Sequence, residues 1–231
     1  MAINASTIKS TSKSSTPKQE ALPEDAYPAR LVQVIDLGLH PVSKWNEATQ
    51  SFEVAEDKAP VNNVYMTYEL VSEFVKDEKG EDTDRPRWVS EQIPLYPFTN
   101  DKATSTKRIK AIDPKNVAKG DLAAMVSYGC TVVLKVNKKG YNKIGSVAPM
   151  LKGMVIPELK NDAVVLDLDN PNVDVYEGLP EFLKEKITAS VNFNRTALGK
   201  ILNKDAAAAA KAAEVEEVED DFVDDDDAPW G

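Results

Sequence analysis

Two alternating segments joined by a glycine turn, at residues 131–147, restrict the fold more than any other part of the chain. In the first segment Val132, Leu134 and Val136 recur at every second position, which is the period of a strand with one buried face. The turn reads NKKG, and its glycine is free to adopt the positive φ that a tight turn requires. The sequence therefore predicts an antiparallel hairpin here.

The surface of this hairpin combines cations with an aromatic ring. Its exposed set contains Lys135, Lys138, Lys139, Lys143 and Tyr141. Such a mixture suits a single strand of nucleic acid, because ammonium groups bind phosphates while a ring stacks on a base. Taken alone, the hairpin is more typical of a solvated structure whose lysines protect a sheet edge. Other features of the chain distinguish between these two interpretations.

Three further segments are predicted to be strands, at residues 29–37, 63–71 and 88–95. The first, ARLVQVIDL, is apolar on both faces, which is typical of a central strand covered on both sides. The second alternates, with Tyr68 on the apolar face, where we expect core packing, and Tyr65 on the other face. The connections are predicted as a long loop at 40–62 with a small hairpin around Phe52, a charged loop at 74–87, helical turns near 107–114 and 121–126, and a short strand within 149–158.

The order of these elements predicts a mainly β fold. Five antiparallel strands with a short helix between the third and fourth form the OB-fold barrel, and a small β-sandwich is the alternative. Composition divides the chain into four parts: a disordered basic arm (1–22), the barrel (23–158), a C-terminal extension (159–203) and a disordered acidic tail (204–231). In the extension Pro180 suits the first position of a helix, whose Phe182, Leu183 and Ile187 are expected to dock on the barrel.

Negative charge is concentrated at the end of the chain. Residues 214–231 contain ten acidic side chains and no lysine or arginine. Removing them from the 38 acids leaves 28, which equals the number of lysines and arginines, so the net charge of −10 belongs to the tail. Segregated charge of this kind is typical of an interaction tail.

Cysteine and histidine content excludes most catalytic and metal chemistry. Cys130 is the single cysteine and follows an apolar pattern, so we expect a buried structural thiol and no disulfide. With His40 as the single histidine, no zinc site of several cysteines and histidines can form, and no metal or cofactor is expected. No apolar run approaches the roughly 18 residues of a membrane span, and the N-terminus lacks an apolar leader, so neither a membrane segment nor secretion is expected.

A run of aspartates leaves an enzymatic alternative open. Asp167 and Asp169 begin like a calcium loop, but the sixth position is Asn172 where that loop requires glycine, so a turn is expected. Together with Asp174 these carboxylates are the candidate ligands of a metal-dependent nuclease. A DNA-mimicking or adaptor protein that acts through its acidic tail is a further alternative, against which the neutral body argues.

Several blocks in order resemble the single-stranded DNA-binding proteins of tailed bacteriophages. They are YPARLVQVIDLGLHP at 27–41, NVYMTYEL at 63–70, PRWVSEQIPL at 86–95, GCTVVLKV and GYNKIGSVAPMLKGM within 129–154, and LDLDNPNVDVYEGLP with FLKEKI within 166–187. The tail, DDFVDDDDAPWG, resembles the acidic tails of phage and bacterial proteins of this type, although here Gly231 follows the aromatic residue that usually ends the chain.

The resemblance implies a non-enzymatic protein that coats single-stranded DNA during phage replication, recombination or repair, in the cytoplasm of the infected bacterium. Phosphates are expected to contact Arg30, Arg85, Arg87, Lys107, Arg108, Lys135, Lys138, Lys139 and Lys143, and bases to stack on Trp45, Tyr65, Trp88 and Tyr141. Trp45 and Trp88 fit packing roles as well. Tail contacts with replication or recombination proteins are expected from Phe222, Asp224, Asp225, Asp226, Asp227 and Trp230. The sequence leaves the oligomeric state open, with a homodimer as one option.

Overall fold

The computed structural model describes residues 19–155 and 158–204, in which strands dominate and helices are few and short. The strands are β1 (Ala26–His40), β2 (Ser43–Asn46), β3 (Ser51–Val54), β4 (Val61–Lys76), β5 (Asp82–Pro94), β6 (Gly129–Val136), β7 (Asn142–Pro149) and β8 (Val164–Leu166). The helices are α1 (Thr104–Ile112), α2 (Val173–Glu177), α3 (Glu181–Thr188) and α4, whose described part is 197–204. The mainly β prediction is confirmed. The acidic tail and the first 18 residues of the basic arm lie outside the described residues.

The main sheet has six strands in the order β5-β4-β1-β6-β7, with β8 beside β1. Its ladders are antiparallel apart from the short parallel pair of β1 with β8. The sequence predicts a five-stranded antiparallel OB-fold barrel, but among the described strands no ladder joins β5 to β7, so the sheet does not close into a barrel. Side chains from both strands line a groove between these two edges.

The sixth strand comes from the C-terminal extension and was not predicted. β1 shares one of its edges between two partners: Ala26–Arg30 pair with β6, and Gln33–Ile35 pair with β8. The other edge of β1 pairs with β4 along most of its length. β1 therefore pairs with three strands from different parts of the chain.

β1 separates two hydrophobic cores, as its two-faced apolar sequence predicts. Leu31 and Val34 pack in the first core with buried side chains of β4, β6 and α1. Ile35 and Leu37 pack in the second core with α3 and its flanking segments. Tyr68 lies in the first core, as predicted, and is fully buried. The extension is therefore part of the folded body.

The helix predicted after Pro180 is α3, and it docks through Leu183 and Ile187, both buried, whereas Phe182 is half exposed. Just beyond α3, Ser190 packs against Gly38 of β1. Gly38 has a φ of +80°, and a Cβ atom built on it would lie 2.6 Å from Ser190 Oγ. Glycine is therefore required where β1 passes beneath the extension.

Three boundaries differ from the sequence predictions. The charged loop predicted at 74–87 is mostly strand, because β4 and β5 continue their ladder to the pair of Lys76 with Asp82. No strand forms in 150–155, where the strand within 149–158 was predicted. The arm was predicted to be disordered through residue 22, but Leu22 is buried and exchanges two 2.8 Å hydrogen bonds with the Asn142 side chain.

The small hairpin around Phe52 is confirmed as β2 and β3.

Cys130 is buried in the first core, as predicted, and burial raises the pKa of its thiol to about 12. A thiol in the unfolded chain has a pKa of about 8.5. The unfolded state therefore loses this proton at lower pH than the folded state, so the contribution of Cys130 to stability is lost as the pH rises from about 8.5 toward 12. Urea unfolding of the wild type and of Cys130→Ala should show a stability difference that shrinks as the pH rises from neutral. A constant difference would contradict the burial of the neutral thiol.

Candidate nucleic-acid interface

The groove between β5 and β7, here called the edge groove, has a volume of about 390 Å³. β5 contributes Arg87 and Trp88, and β7 with its turn contributes Tyr141 and Lys143. Tyr65 reaches the same groove from β4. Five of the residues predicted from the sequence to contact a nucleic acid therefore line one groove, although they come from three strands.

Trp88 is held at the groove by a buried carboxylate. Its indole Nε1 donates a hydrogen bond of 3.3 Å to Glu69 Oε2, and the residue is 43% exposed. Glu69 is only 4% exposed, and it also accepts a 2.8 Å hydrogen bond from the backbone N–H of Lys160 and one from the side chain of Asn161. The same carboxylate therefore orients Trp88 and attaches the start of the C-terminal extension to the sheet.

Glu69→Ala is expected to destabilise the fold by about 1–3 kcal/mol, because it leaves the donors of Trp88, Lys160 and Asn161 without their acceptor. Thermal or urea unfolding measures this loss. Glu73→Ala, on the same strand at a partly exposed position, is the control and should change stability little. Equal effects of the two variants would show that Glu69 does not have this role.

The four lysines of the β6–β7 hairpin are exposed and lie close together on its two strands and its turn. Lys135 and Lys143 are direct cross-strand partners, a like-charge pair that costs stability in a sheet. Lys138 and Lys139 lie in the turn. Within residues 19–155 and 158–204, no ion pair joins any of these four lysines to an acid. A polyanion would relieve their repulsion.

Gly145 shapes this cationic surface. The side chain of Lys135 lies across it, and a Cβ atom at Gly145 would come within 3.1 Å of Lys135 Cγ. Tyr141 follows the turn, is 52% exposed and lines the edge groove. Of the hairpin residues predicted to contact a nucleic acid, Tyr141 and Lys143 therefore line the edge groove, whereas Lys135, Lys138 and Lys139 are exposed outside it.

Arg108, predicted to contact phosphate, is buried instead. Its Nε donates to Glu91 Oε1 at 2.8 Å and its Nη2 to Glu91 Oε2 at 3.0 Å. The amphipathic pattern of α1 turns this arginine inward, where a bidentate partner compensates its charge. Arg108 is therefore unavailable to a ligand at the surface.

The remaining predicted contacts lie apart from the edge groove. The guanidinium of Arg30 donates to the carbonyl of Ser127. Trp45 packs edge-to-face on Phe52 in the β2–β3 hairpin, with ring centroids 5.1 Å apart. Two exposed cations, Arg85 and Lys107, are not among the residues that line the groove. Arg87, which does line it, also donates at 2.8 Å to the carbonyl of Glu20.

A second groove, here called the sheet-face groove, was not predicted. It has a volume of about 520 Å³ and lies between one face of the sheet and the C-terminal extension. Tyr65, Trp88 and Ser90 line both grooves, so the two are neighbours. Trp88, Ser90 and Gln92 alternate along β5, and this alternation predicts that they share one face of the sheet. No local pattern predicts that the extension lies above that face.

The candidate metal ligands do not assemble. Within the described ranges, no group of three or more histidine, cysteine, aspartate or glutamate side chains could hold a metal ion. The segment that contains Asp167 and Asp169 forms a turn, in which Asp167 accepts a 2.8 Å hydrogen bond from the N–H of Asp169. No helix among the described residues is long and apolar enough to cross a membrane.

Comparison of the chain with protein-family models, with curated proteins and with solved structures finds no match.

Proposed function

We propose that this chain is a sequence-nonspecific single-stranded DNA-binding protein. The observation that carries the proposal is the edge groove, which joins three aromatic side chains, Tyr65, Trp88 and Tyr141, to two cations, Arg87 and Lys143. Cations bind the sugar-phosphate backbone and release condensed counterions, and rings stack on bases of any sequence. An unpaired strand offers both features along its whole length, whereas a duplex hides its base faces.

The proposed fold is an OB-fold whose barrel is open at one seam. Its five strands would be β1, β4, β5, β6 and β7, with α1 between the third and the fourth. Support comes from the strand order and from the contact of β5 with β7 without a ladder. The seam would then be the edge groove, and OB-folds bind single strands on their barrel surface.

The proposed role is coating and protection of single-stranded DNA in phage replication, recombination and repair, within the cytoplasm of the infected host. In this role the acidic tail would recruit replication partners through Phe222 and Trp230 and would compete with DNA for the lysines of the hairpin. The support is the resemblance of the sequence blocks together with the segregation of charge between body and tail.

Lys143→Glu is expected to change stability and binding in opposite directions. The new carboxylate would face Lys135 across the ladder and stabilise the hairpin by about 0.2–1 kcal/mol. Loss of one phosphate contact would weaken binding of oligo-dT and lower its salt dependence by a slope of roughly one unit. Thermal unfolding and fluorescence anisotropy across a salt series measure the two effects.

The matched control is Lys79→Glu, which makes the same charge change in the exposed turn between β4 and β5. It should leave oligo-dT affinity close to that of the wild type. Higher stability of Lys143→Glu with unchanged affinity would mean that the hairpin lysines only face solvent.

The proposed function is tested by anisotropy titrations of the full chain with single-stranded and double-stranded oligonucleotides at increasing salt. We expect tight binding of the single strand at low salt, a steep loss as salt increases, and weaker binding of duplex. Equal affinity for both forms, or no binding at low salt, would refute the proposal.

A further inference from the structure

The floor of the sheet-face groove is a hydrogen-bonded row across three strands. Thr67 Oγ1 donates to Gln33 Oε1 at 2.8 Å, and Ser90 Oγ lies 3.0 Å from Thr67 Oγ1. Because the Thr67 hydrogen is directed to Gln33, Ser90 must donate to Thr67. The row therefore runs from β5 through β4 to β1 and ends on the amide of Gln33.

The row leaves one donor without a partner among the described residues. Gln33 is only 9% exposed and lines the groove, and no described residue accepts a hydrogen bond from its Nε2. This amide N–H opens onto the groove, where its hydrogen-bonding capacity is available to a ligand. A ligand atom with a lone pair, placed in the groove, would satisfy it.

The walls above this donor are aromatic and apolar. Tyr65 and Phe182 meet edge-to-face with ring centroids 6.0 Å apart, and Trp88 borders the same space. Of the described residues that line the groove, only Asp174 carries a charge. A carboxylate repels phosphate, so this groove fits a flat, uncharged ring rather than the backbone of a nucleic acid.

From these observations we infer that the sheet-face groove is a base-binding subsite, in which one nucleobase of a strand held in the edge groove inserts and accepts a hydrogen bond from Gln33 Nε2. This inference rests on the proposed function. It follows from the three residues that line both grooves, since a strand with its phosphates at Arg87 and Lys143 has its bases beside Trp88 and Tyr65. Every base carries an acceptor on an accessible edge, so the subsite is compatible with binding of any sequence.

Filling the groove provides the first test. Gly178 lines it with φ −73°, and a Cβ atom there would make only ordinary contacts, the nearest at 3.4 Å from the carbonyl oxygen of Asp174. Gly178→Phe is therefore expected to fold and to place a ring in the groove. Its affinity for oligo-dT should fall roughly tenfold, the equivalent of one lost base contact. Asn170→Phe, at an exposed position outside the groove, is the matched control and should bind as the wild type does.

The second test removes the donor and the base separately. Gln33→Met keeps the length of the side chain without its amide, and it should weaken binding of oligo-dT by roughly 2- to 10-fold. Because it also removes the acceptor of the Thr67 hydroxyl, thermal unfolding of the variant checks that the fold is retained. An abasic oligonucleotide of the same length provides the phosphates without any base. Wild type, Gly178→Phe and Gln33→Met should bind this abasic strand equally well, since the phosphate contacts lie in the edge groove.

The outcomes separate the subsite from the proposed function. If both variants bind oligo-dT as tightly as the wild type, no base enters the sheet-face groove, although the proposed function stands. If both variants lose affinity equally for oligo-dT and for the abasic strand, the change acts on backbone contacts and the subsite is again refuted. If the wild type binds no single strand, the proposed function itself fails.

Discussion

Replacing Trp88 by leucine and Tyr141 by alanine together is expected to weaken binding of oligo-dT by at least about 30-fold. Each ring that stacks on a base contributes about 1–3 kcal/mol, and the two losses add when each ring contacts a different base. Both side chains are half exposed, so most of this effect should appear in affinity rather than in folding. Fluorescence anisotropy measures the affinity, and thermal unfolding of the same protein shows that the fold is retained.

The control for this variant is Trp45→Leu. Trp45 is 50% exposed, close to the 43% of Trp88, but it lies in the β2–β3 hairpin and does not line the edge groove. It should change affinity less than threefold, the equivalent of about 0.6 kcal/mol. A loss as large as that of the double variant would move the interface to the β2–β3 hairpin.

Gly38→Ala is expected to destabilise the protein by about 2–5 kcal/mol and to lower its melting temperature by roughly 5–15 °C. The methyl group would overlap Ser190, whose Oγ would be 2.6 Å away and whose Cβ would be 2.7 Å away. The positive φ of Gly38 adds a conformational cost for any residue with a side chain. Calorimetry of the full chain measures the change.

Two controls separate overlap from backbone strain. Gly80 has nearly the same φ, +82°, but a Cβ atom there would meet nothing within 4 Å, so Gly80→Ala should cost only about 1–2 kcal/mol. Ser190 Oγ has no hydrogen-bond partner among the described residues, so Ser190→Gly sacrifices no such bond. Adding it to Gly38→Ala should restore part of the lost stability. Equal losses in Gly38→Ala and Gly80→Ala would show that contact with the extension is unimportant.

Local patterns predicted most of the strands because strands with a buried face have a period of two. The apolar run of β1, the alternation of β4 and the glycine turn before β7 each depend on residues close in sequence. The placement of β8 depends on a contact with β1 across most of the chain, which no local pattern encodes. The strand missed at residues 82–87 is rich in charge because much of its surface is exposed beyond the core.

Residue type predicts which side chains form the candidate site better than it predicts the direction in which each side chain points. Tyr65, Trp88 and Tyr141 are predicted to stack on bases, and all three line one groove. The charge of Arg108 predicts a phosphate contact, but its helix directs the side chain toward Glu91. The sequence does not identify Gln33 as a site residue, because a single glutamine in an apolar run does not indicate which group its amide faces.

The pairing of β1 with β8 also determines when the molecule can finish folding on the ribosome. Strands β1 and β4 leave the exit tunnel early, whereas Val164–Leu166 emerge only after the β6–β7 hairpin has been made. Until then Ile35 and Leu37 have no covering layer, and part of one edge of β1 is an unprotected template for another nascent chain. Translation through the last residues of the extension is therefore the step that ends the period of greatest aggregation risk.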